Sequence, residues 1–362
     1  MKAVITAGGR GTRLRPITWT LNKHLIPLAN EPMLFNAIKK VAAIGVTEIA
    51  ININPGDTEI AAACGDGSRW GVNLKYIEQA GGAVGVGQII WNAREFIGED
   101  DVLLYFGDNI VLGTLDRFVN KFRNEQLDCC LAFSRVPDPQ RFGVPRFDTS
   151  GTLIGVIEKP EEPENDLAVT GIHLYKSPSH YEAFKHINPS SRGEYEISDI
   201  HDWLIKHKYK VGYEEITGWW KDTGKPEDLL EGNQLLLNEM SIDEAVIAPD
   251  THVTEGARIQ GRVKIGKGTC VGSDVLIRGP VVIGENVILE HCYIGPHTTV
   301  GNDVTIKQAE VEHSIVMEGA YLETSKRILE SIVGRNAKVL NDDNQLPRGH
   351  KLIVGENSYL EL

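Results

Sequence analysis

Aliphatic side chains return every six residues from Ile247 through Val253, Ile259, Ile265, Val271 and Ile277 to Ile283, and, after a slip of one, at Ile294, Val300 and Ile306. Glycine follows Ile265, Val271, Ile283, Ile294 and Val300. A strand lying on a flat core alternates with period two and does not keep a fixed six-residue spacing, which disfavours a β-sandwich. One inward aliphatic per short strand, three strands per triangular turn and small residues at the corners meet the pattern instead, as a parallel β-helix. The period returns at Val316, Leu322 and Ile328, and SIVG at 331–334 repeats the Val-Gly pair, so the coil is expected to run to about residue 340.

The chain before this repeat has another grammar. Strand-like runs KAVIT, EIAINI (48–53), LKYIE (74–78), DVLLYF (101–106) and CCLAFSRV (129–136) alternate with stretches whose apolar residues recur at three and four, at 33–44, 87–96 and 115–122. That alternation predicts an α/β domain with a largely parallel sheet covered by helices. With 362 residues, two domains are expected, at 1–240 and 245–362.

Composition removes several functions. A net charge of -13 argues against nucleic acid or an anionic membrane as the main partner, since both need a basic footprint. MKAVITAGG is too short an apolar run for a signal-peptide core, and a cytoplasmic location is expected. Cys64, Cys129, Cys130, Cys270 and Cys292 are odd in number, scattered and free of CxxC spacing, and are read as reduced, mostly buried thiols.

AGGRGTRLRP (7–16) follows the first strand directly. Gly8, Gly9 and Gly11 let main-chain N–H groups approach a phosphate, and Arg13 and Arg15 add positive charge. The loop is not a dinucleotide fingerprint, because Leu14 stands where the third glycine belongs. No GK[ST] closes it as a Walker loop.

The loop resembles the GGxGTRL…P signature of the sugar-1-phosphate nucleotidyltransferase family. Further segments resemble that family in the same order: NKHLIPLANEPML (22–34), GDN (107–109), IEKP (157–160), VTGIHLY (169–175), RGEYEISD (192–199) and WWKDTGKPEDLL (219–230). Within the family the chain is most similar to the long form of glucose-1-phosphate thymidylyltransferases, through GDGSRWGVNLKYIEQ (65–79) and the ending PRGHKLIVGENSYLEL (347–362). The resemblance implies a Rossmann-like, mixed and largely parallel sheet in the first domain. It also implies a left-handed β-helix in the second, an exception to the usual crossover hand.

A sugar 1-phosphate that attacks the α-phosphate of a nucleoside triphosphate brings an already anionic nucleophile, so the task is charge neutralisation and in-line placement. The resemblance implies Asp108 and Asp222 as ligands for Mg²⁺. It implies Arg13 and Lys23 on the triphosphate, with Gly8, Gly9, Gly11, Thr12 and Gly107 around the nucleotide and Gln79 and Gly85 reading the base. Lys159 and Arg192 are implied on the sugar phosphate, Glu158 on sugar hydroxyls, and Gly143, Thr170 and Gly171 against the pyranose. Trp219 and Trp220, beside Asp222, are candidates either for stacking or for packing.

The expected reaction joins dTTP and glucose 1-phosphate to give dTDP-glucose and pyrophosphate. Two departures from the thymidylyltransferase pattern keep UTP open. QAGGAVGVGQ is one residue longer between Gln79 and Gly85, and His24 stands where Gln is common. A pyrimidine methyl group adds only about 1–3 kcal/mol of discrimination. A second domain of this type also hosts acyltransferases, for which His291, His297 and His313 are candidate bases, but no long loop leaves the coil. An assembly role in a homo-oligomer is expected instead. A non-catalytic regulatory homologue is disfavoured by the presence of Arg13, Lys23, Asp108, Lys159 and Asp222 together.

Overall fold

The computed structural model describes residues 1–82, 84–216 and 220–341; Trp219 and the ending 347–362 lie outside them. The chain divides into two compact units, with the boundary between Ile242 and Asp243.

The first unit is built on one mixed sheet. Its order runs from Leu153–Glu158 through Gly143–Phe147, Leu167–Tyr175, Val102–Phe106, Lys2–Thr6 and Glu48–Ile53 to Asn73–Glu78. The Lys2–Thr6 strand pairs parallel with both neighbours, Ala3 opposite Ile49 and Lys2 opposite Val102. These central strands are covered on both faces, which is why KAVIT and VLLYF read as continuous apolar runs. Helix Met33–Ala43 buries Met33, Leu34, Ala37, Ile38 and Val41, a stripe at helical spacing.

The stretch 87–96 is not one helix. A 3₁₀ turn at Val86–Gln88 leads into two short pieces, Ile89–Asn92 and Arg94–Ile97, because Ala93 leaves helical geometry at ψ 4°. A small separate ribbon pairs Trp220–Asp222 antiparallel with Asn109–Val111 and sets Asp222 opposite Asn109.

Among the described residues the second unit is a parallel β-helix with three parallel sheets of six, six and five strands. Ile265, Ile277, Ile283, Ile294, Val300 and Ile306 point inward and are buried. Val263 pairs with Val281 but Val281 pairs with Thr298, so the slip in the sequence period is one residue lost from a coil. Ile247 and Val253 depart from the inward expectation. They lie on the first two strands of the coil and remain 42% and 36% exposed, having a neighbouring strand on one side only.

All five cysteines are free thiols, four of them buried and Cys270 exposed. No described helix is long and apolar enough to cross a membrane.

Candidate active site

A cleft of 680 Å³ opens at the ends of strands Lys2–Thr6 and Val102–Phe106, where Thr6 and Phe106 reach its wall. Carboxyl ends of parallel strands are where open sheets gather ligands, because main chain diverges there and loops supply the contacts. The cleft brings together Gly8, Gly9, Arg13, Lys23, Gln79, Gly85, Asp108, Gly143, Glu158, Lys159, Thr170, Gly171 and Asp222.

At one end the glycine loop leaves the first strand. A Cβ at Gly9 would stand 2.7 Å from Lys23 Cε, so the missing side chain is what lets the lysine lie against the loop. A Cβ at Gly8 would stand 3.5 Å from Gln79 Oε1, which puts the Gln79 amide beside the same main chain. Gln79 is buried, and its Nε2 donates to the Gly85 carbonyl at 3.0 Å. His24, behind Lys23, is buried and has its Nδ1 3.0 Å from Asn22 Oδ1. Burial, then the Lys23 charge, pulls its pKa down to about 3, so the ring is neutral at physiological pH.

The centre holds two carboxylates. Lys23 forms a short ion pair with Asp108. Burial pushes the Asp108 carboxyl up, but the adjoining Lys23 ammonium overcomes this and holds it at about 2. Asp222 has the opposite balance. Burial and then the negative Asp108 raise it to about 6, against Lys23 and Arg13. A Cβ at Gly224 would meet Arg13 Nη2 at 2.9 Å and Asp222 Oδ2 at 3.0 Å, so the guanidinium and this carboxylate flank one glycine.

Asn109 ties the centre to its walls. Its Oδ1 accepts from the Gly171 N–H at 3.0 Å and from Trp220 Nε1 at 2.7 Å, and its Nδ2 donates to Asp108 Oδ1 at 3.3 Å. Trp220 is buried on the edge of Phe142, with its indole N–H committed to Asn109.

The other end is formed by Gly143, Glu158, Lys159 and the strand through Gly171. Glu158 Oε1 lies 3.1 Å from Lys159 Nζ, and Oε2 accepts from Ser198 Oγ at 3.0 Å. Lys159 adopts φ +45°, a conformation that non-glycine residues rarely adopt, and its N–H donates to the Phe142 carbonyl at 2.9 Å. A Cβ at Gly171 would stand 2.4 Å from the Phe106 ring, so this glycine is required by packing as well as by the cleft.

Four expected residues do not line the cleft. Arg192 is held by Glu196 at 2.8 Å and Glu158 at 3.6 Å. Gly11 shapes the turn instead, with φ +57° and a carbonyl that accepts from Thr18 Oγ1 at 2.7 Å. Thr12 opens the following 3₁₀ turn. Gly107 is a close-packing glycine, whose Cβ would stand 2.4 Å from the Thr6 carbonyl. Conversely, Asn109, Arg141, His173, Glu194, Glu196 and Ser198 line the cleft without having been expected there. The sequence does offer a signal for most of them: Asn109 lies within GDN, His173 within VTGIHLY, and Glu194, Glu196 and Ser198 within RGEYEISD.

A glycine loop carrying cations, a buried and a half-buried carboxylate and a polar far wall define a site for transfer between phosphorylated ligands. The chain belongs to the nucleotidyl transferase family, whose model matches residues 2–239; a GMPPB C-terminal domain model matches 277–344. It is 39% identical to the glucose-1-phosphate thymidylyltransferase of Streptomyces griseus, over 100% of this chain and 99% of that one. It is 38% identical to the low-salt glycan biosynthesis nucleotidyltransferase Agl11 of Haloferax volcanii, over 100% of both. The solved structure of a Bacillus anthracis protein assigned as a glucose-1-phosphate thymidylyltransferase, in complex with a sucrose, is 35% identical. It superposes with a TM-score of 0.62, covering 67% of this chain and 98% of that one.

Proposed function

We propose that this protein is a glucose-1-phosphate thymidylyltransferase, which transfers a thymidylyl group from dTTP to glucose 1-phosphate and releases pyrophosphate. The observation that carries the reading is one cleft with Arg13 and Lys23 at the glycine loop, Asp108 and Asp222 at its centre, and Glu158 and Lys159 at its far end. Full-length likeness to a thymidylyltransferase supports the choice of base and sugar.

In this reading Gln79 pairs with the pyrimidine edge, and the main chain of Gly8 and Gly9 faces the phosphates. Arg13 bridges phosphate oxygens through its planar fork, and Lys23 acts as a point charge. Lys159 and Arg192 hold the sugar phosphate, Arg192 by exchanging Glu196 for it, while Glu158 accepts from sugar hydroxyls. The attacking phosphate oxygen is already anionic, so no general base is needed.

Asp108 and Asp222 fit a hard divalent cation. Both are oxygen donors, and burial, then the neighbouring Asp108 charge, raises the Asp222 carboxyl despite Lys23 and Arg13, a cost that a bound cation would relieve. Mg²⁺ held there would neutralise charge developing on the phosphates.

The β-helix is assigned an assembly role in a homo-oligomer. The test of the whole reading is pyrophosphate release with Mg²⁺, crossing dTTP, UTP, CTP, GTP and ATP with glucose, galactose, mannose and N-acetylglucosamine 1-phosphates. Preference for dTTP with glucose 1-phosphate is expected. Preference for UTP with N-acetylglucosamine 1-phosphate would replace it by a uridylyltransferase and reopen acyl transfer on the coil. No release with any pair would leave a binding protein without turnover.

A further inference from the structure

The two ends of the cleft are joined by main chain that does not line it. The loop carrying Gly85 and the segment 192–198 lie against each other, with the Tyr195 N–H donating to the Val84 carbonyl and the Gly87 N–H donating to the Tyr195 carbonyl, both at 2.8 Å. Among the described residues lining the cleft, Gly85 and Val86 come from one side of this contact and Glu194 and Glu196 from the other; Gly87 and Tyr195 are absent from it.

The approach is close enough to require glycine. A Cβ at Gly85 would stand 2.5 Å from Tyr195 N and O, and one at Gly87 would stand 2.8 Å from Tyr195 O. Main-chain atoms cannot swing aside as a side-chain tip can, so neither position tolerates even a methyl group without separating the two segments.

Each segment is in turn tied to its own end of the cleft. Gln79 Nε2 donates to the Gly85 carbonyl at 3.0 Å. On the other side Glu196 accepts from Ser190 Oγ at 2.7 Å and from Arg192 Nε at 3.2 Å, and Ser198 Oγ reaches Glu158 at 3.0 Å. A chain of hydrogen bonds and short stretches of main chain therefore runs from the base-facing amide to the sugar-facing carboxylate.

We infer that Gly87 and the Tyr195 main chain form a clamp that couples the two substrate subsites. A ligand on Gln79 and Gly85 fixes the loop, the loop fixes the segment 192–198, and Arg192, Glu196 and Ser198 then meet the sugar phosphate already ordered. Coupling between binding sites is reciprocal, so the sugar phosphate tightens the nucleotide by the same factor. Gly87 and Tyr195 act as positioning residues. The identity of the two ligands rests on the proposed function.

The test is calorimetry on the full chain with Mg²⁺, using the unreactive α,β-methylene analogue of dTTP and glucose 1-phosphate, alone and together. Each ligand is expected to tighten the other by about fivefold or more. Gly87→Ala should reduce that factor to within about twofold while the protein still melts cooperatively, and Tyr195→Phe, which keeps both the main chain and the ring, should retain it. Independent binding in the wild type, or full coupling in Gly87→Ala, overturns the clamp. Hydrogen exchange needs no variant: the analogue alone should slow exchange across 192–198, and unchanged exchange there overturns the clamp as well. Wild-type turnover of dTTP with glucose 1-phosphate is read on the same sample. Failure of turnover removes the parent function while the binding factor still decides the clamp, and failure of either ligand to bind removes both.

Discussion

Thr223 holds the main-chain carbonyl of Asp108 twice, through its Oγ1 at 2.7 Å and its own N–H at 3.2 Å. Because Thr223 follows Asp222 directly, Asp222 on its strand and Asp108 in the turn just before Asn109 are locked together beside the Asp222–Asn109 pairing. Their mutual repulsion is thus built in, and it is tolerated because the Lys23 and Arg13 cations stand nearby.

Burial of the Asp222 carboxyl, together with that repulsion, predicts a variant that gains stability as it loses activity. The Asp222 carboxyl titrates at about 6 in the folded chain, above the ordinary carboxylate value. The folded state therefore binds the extra proton between about pH 4 and pH 6, and stability falls as pH rises through that window. Asp222→Asn removes the charge. With a chelator at pH 7.5 it should be more stable than wild type by on the order of 1–3 kcal/mol, and at pH 4 the gain should vanish. Mg²⁺ should stabilise the wild type and not the variant. Turnover should fall by orders of magnitude, and Asp108→Asn should match it in turnover. Thermal melts at both pH values check the first part; equal melting in chelator at pH 7.5 would remove the repulsion argument.

Lys23→Met should act in the opposite direction. It leaves Asp108 buried without its ion-pair partner, and breaking such a pair costs about 3–5 kcal/mol. Melting in chelator should drop accordingly, with Mg²⁺ restoring more of the loss than it adds to the wild type. Pyrophosphate release should fall by about 10²–10³, the effect of losing one charged group aimed at developing phosphate charge. A variant as stable as wild type in chelator would show that the pair carries no weight in the fold.

Much of this architecture is legible in the sequence because it is periodic or chemically distinctive. The six-residue repeat gives the coil, and glycine, arginine and lysine spacing marks the cation-bearing glycine loop at the cleft, since few other arrangements use those residues together. What is not legible rests on main chain or on partners far apart in the chain. Asn109 joins Gly171 and Trp220 with one amide oxygen, yet nothing in GDN distinguishes that from a turn asparagine. Gly107 reads as a glycine near the nucleotide, and nothing in the sequence shows that the Thr6 carbonyl 101 residues away requires a glycine there. Tyr195 makes its contact with N–H and C=O, which every residue but proline possesses, so no side-chain pattern announces it.

The exposed start of the coil gives a matched pair of substitutions. Ile294 is fully buried in the coil interior, whereas Ile247, one of the same repeat series, is 42% exposed on the first strand. Ile294→Ala should destabilise the coil by about 2–5 kcal/mol through lost burial and a cavity. Ile247→Ala should cost about 1 kcal/mol or less, since little apolar area leaves a packed environment. Urea unfolding of the two variants checks this, and equal costs would mean that Ile247 is covered in solution.

Between about pH 6.5 and pH 4, above the window in which depressed carboxylates such as Asp108 titrate, acid sensitivity should come from histidines. His173, His180 and His201 are buried together around Tyr175, whose hydroxyl lies 2.6 Å from His201 Nε2. Both ring nitrogens of His180 are without a hydrogen-bond partner among the described residues. Burial pulls His173 and His180 down to about 3, and it pulls His201 well below its ordinary value. The folded chain therefore keeps these rings neutral while the unfolded chain protonates them below about pH 6.5. Stability is unaffected by them above that pH and falls as pH drops from 6.5 toward 3, by about 1.4 kcal/mol per pH unit for each ring. His180→Leu is the decisive variant, because this ring does not line the cleft and leucine is close to it in volume. The urea midpoint of His180→Leu should fall less steeply between pH 6.5 and 5, by about one proton's worth, and pyrophosphate release at pH 7.5 should be unchanged. An unaltered slope would mean that the His180 ring is already charged in the folded protein.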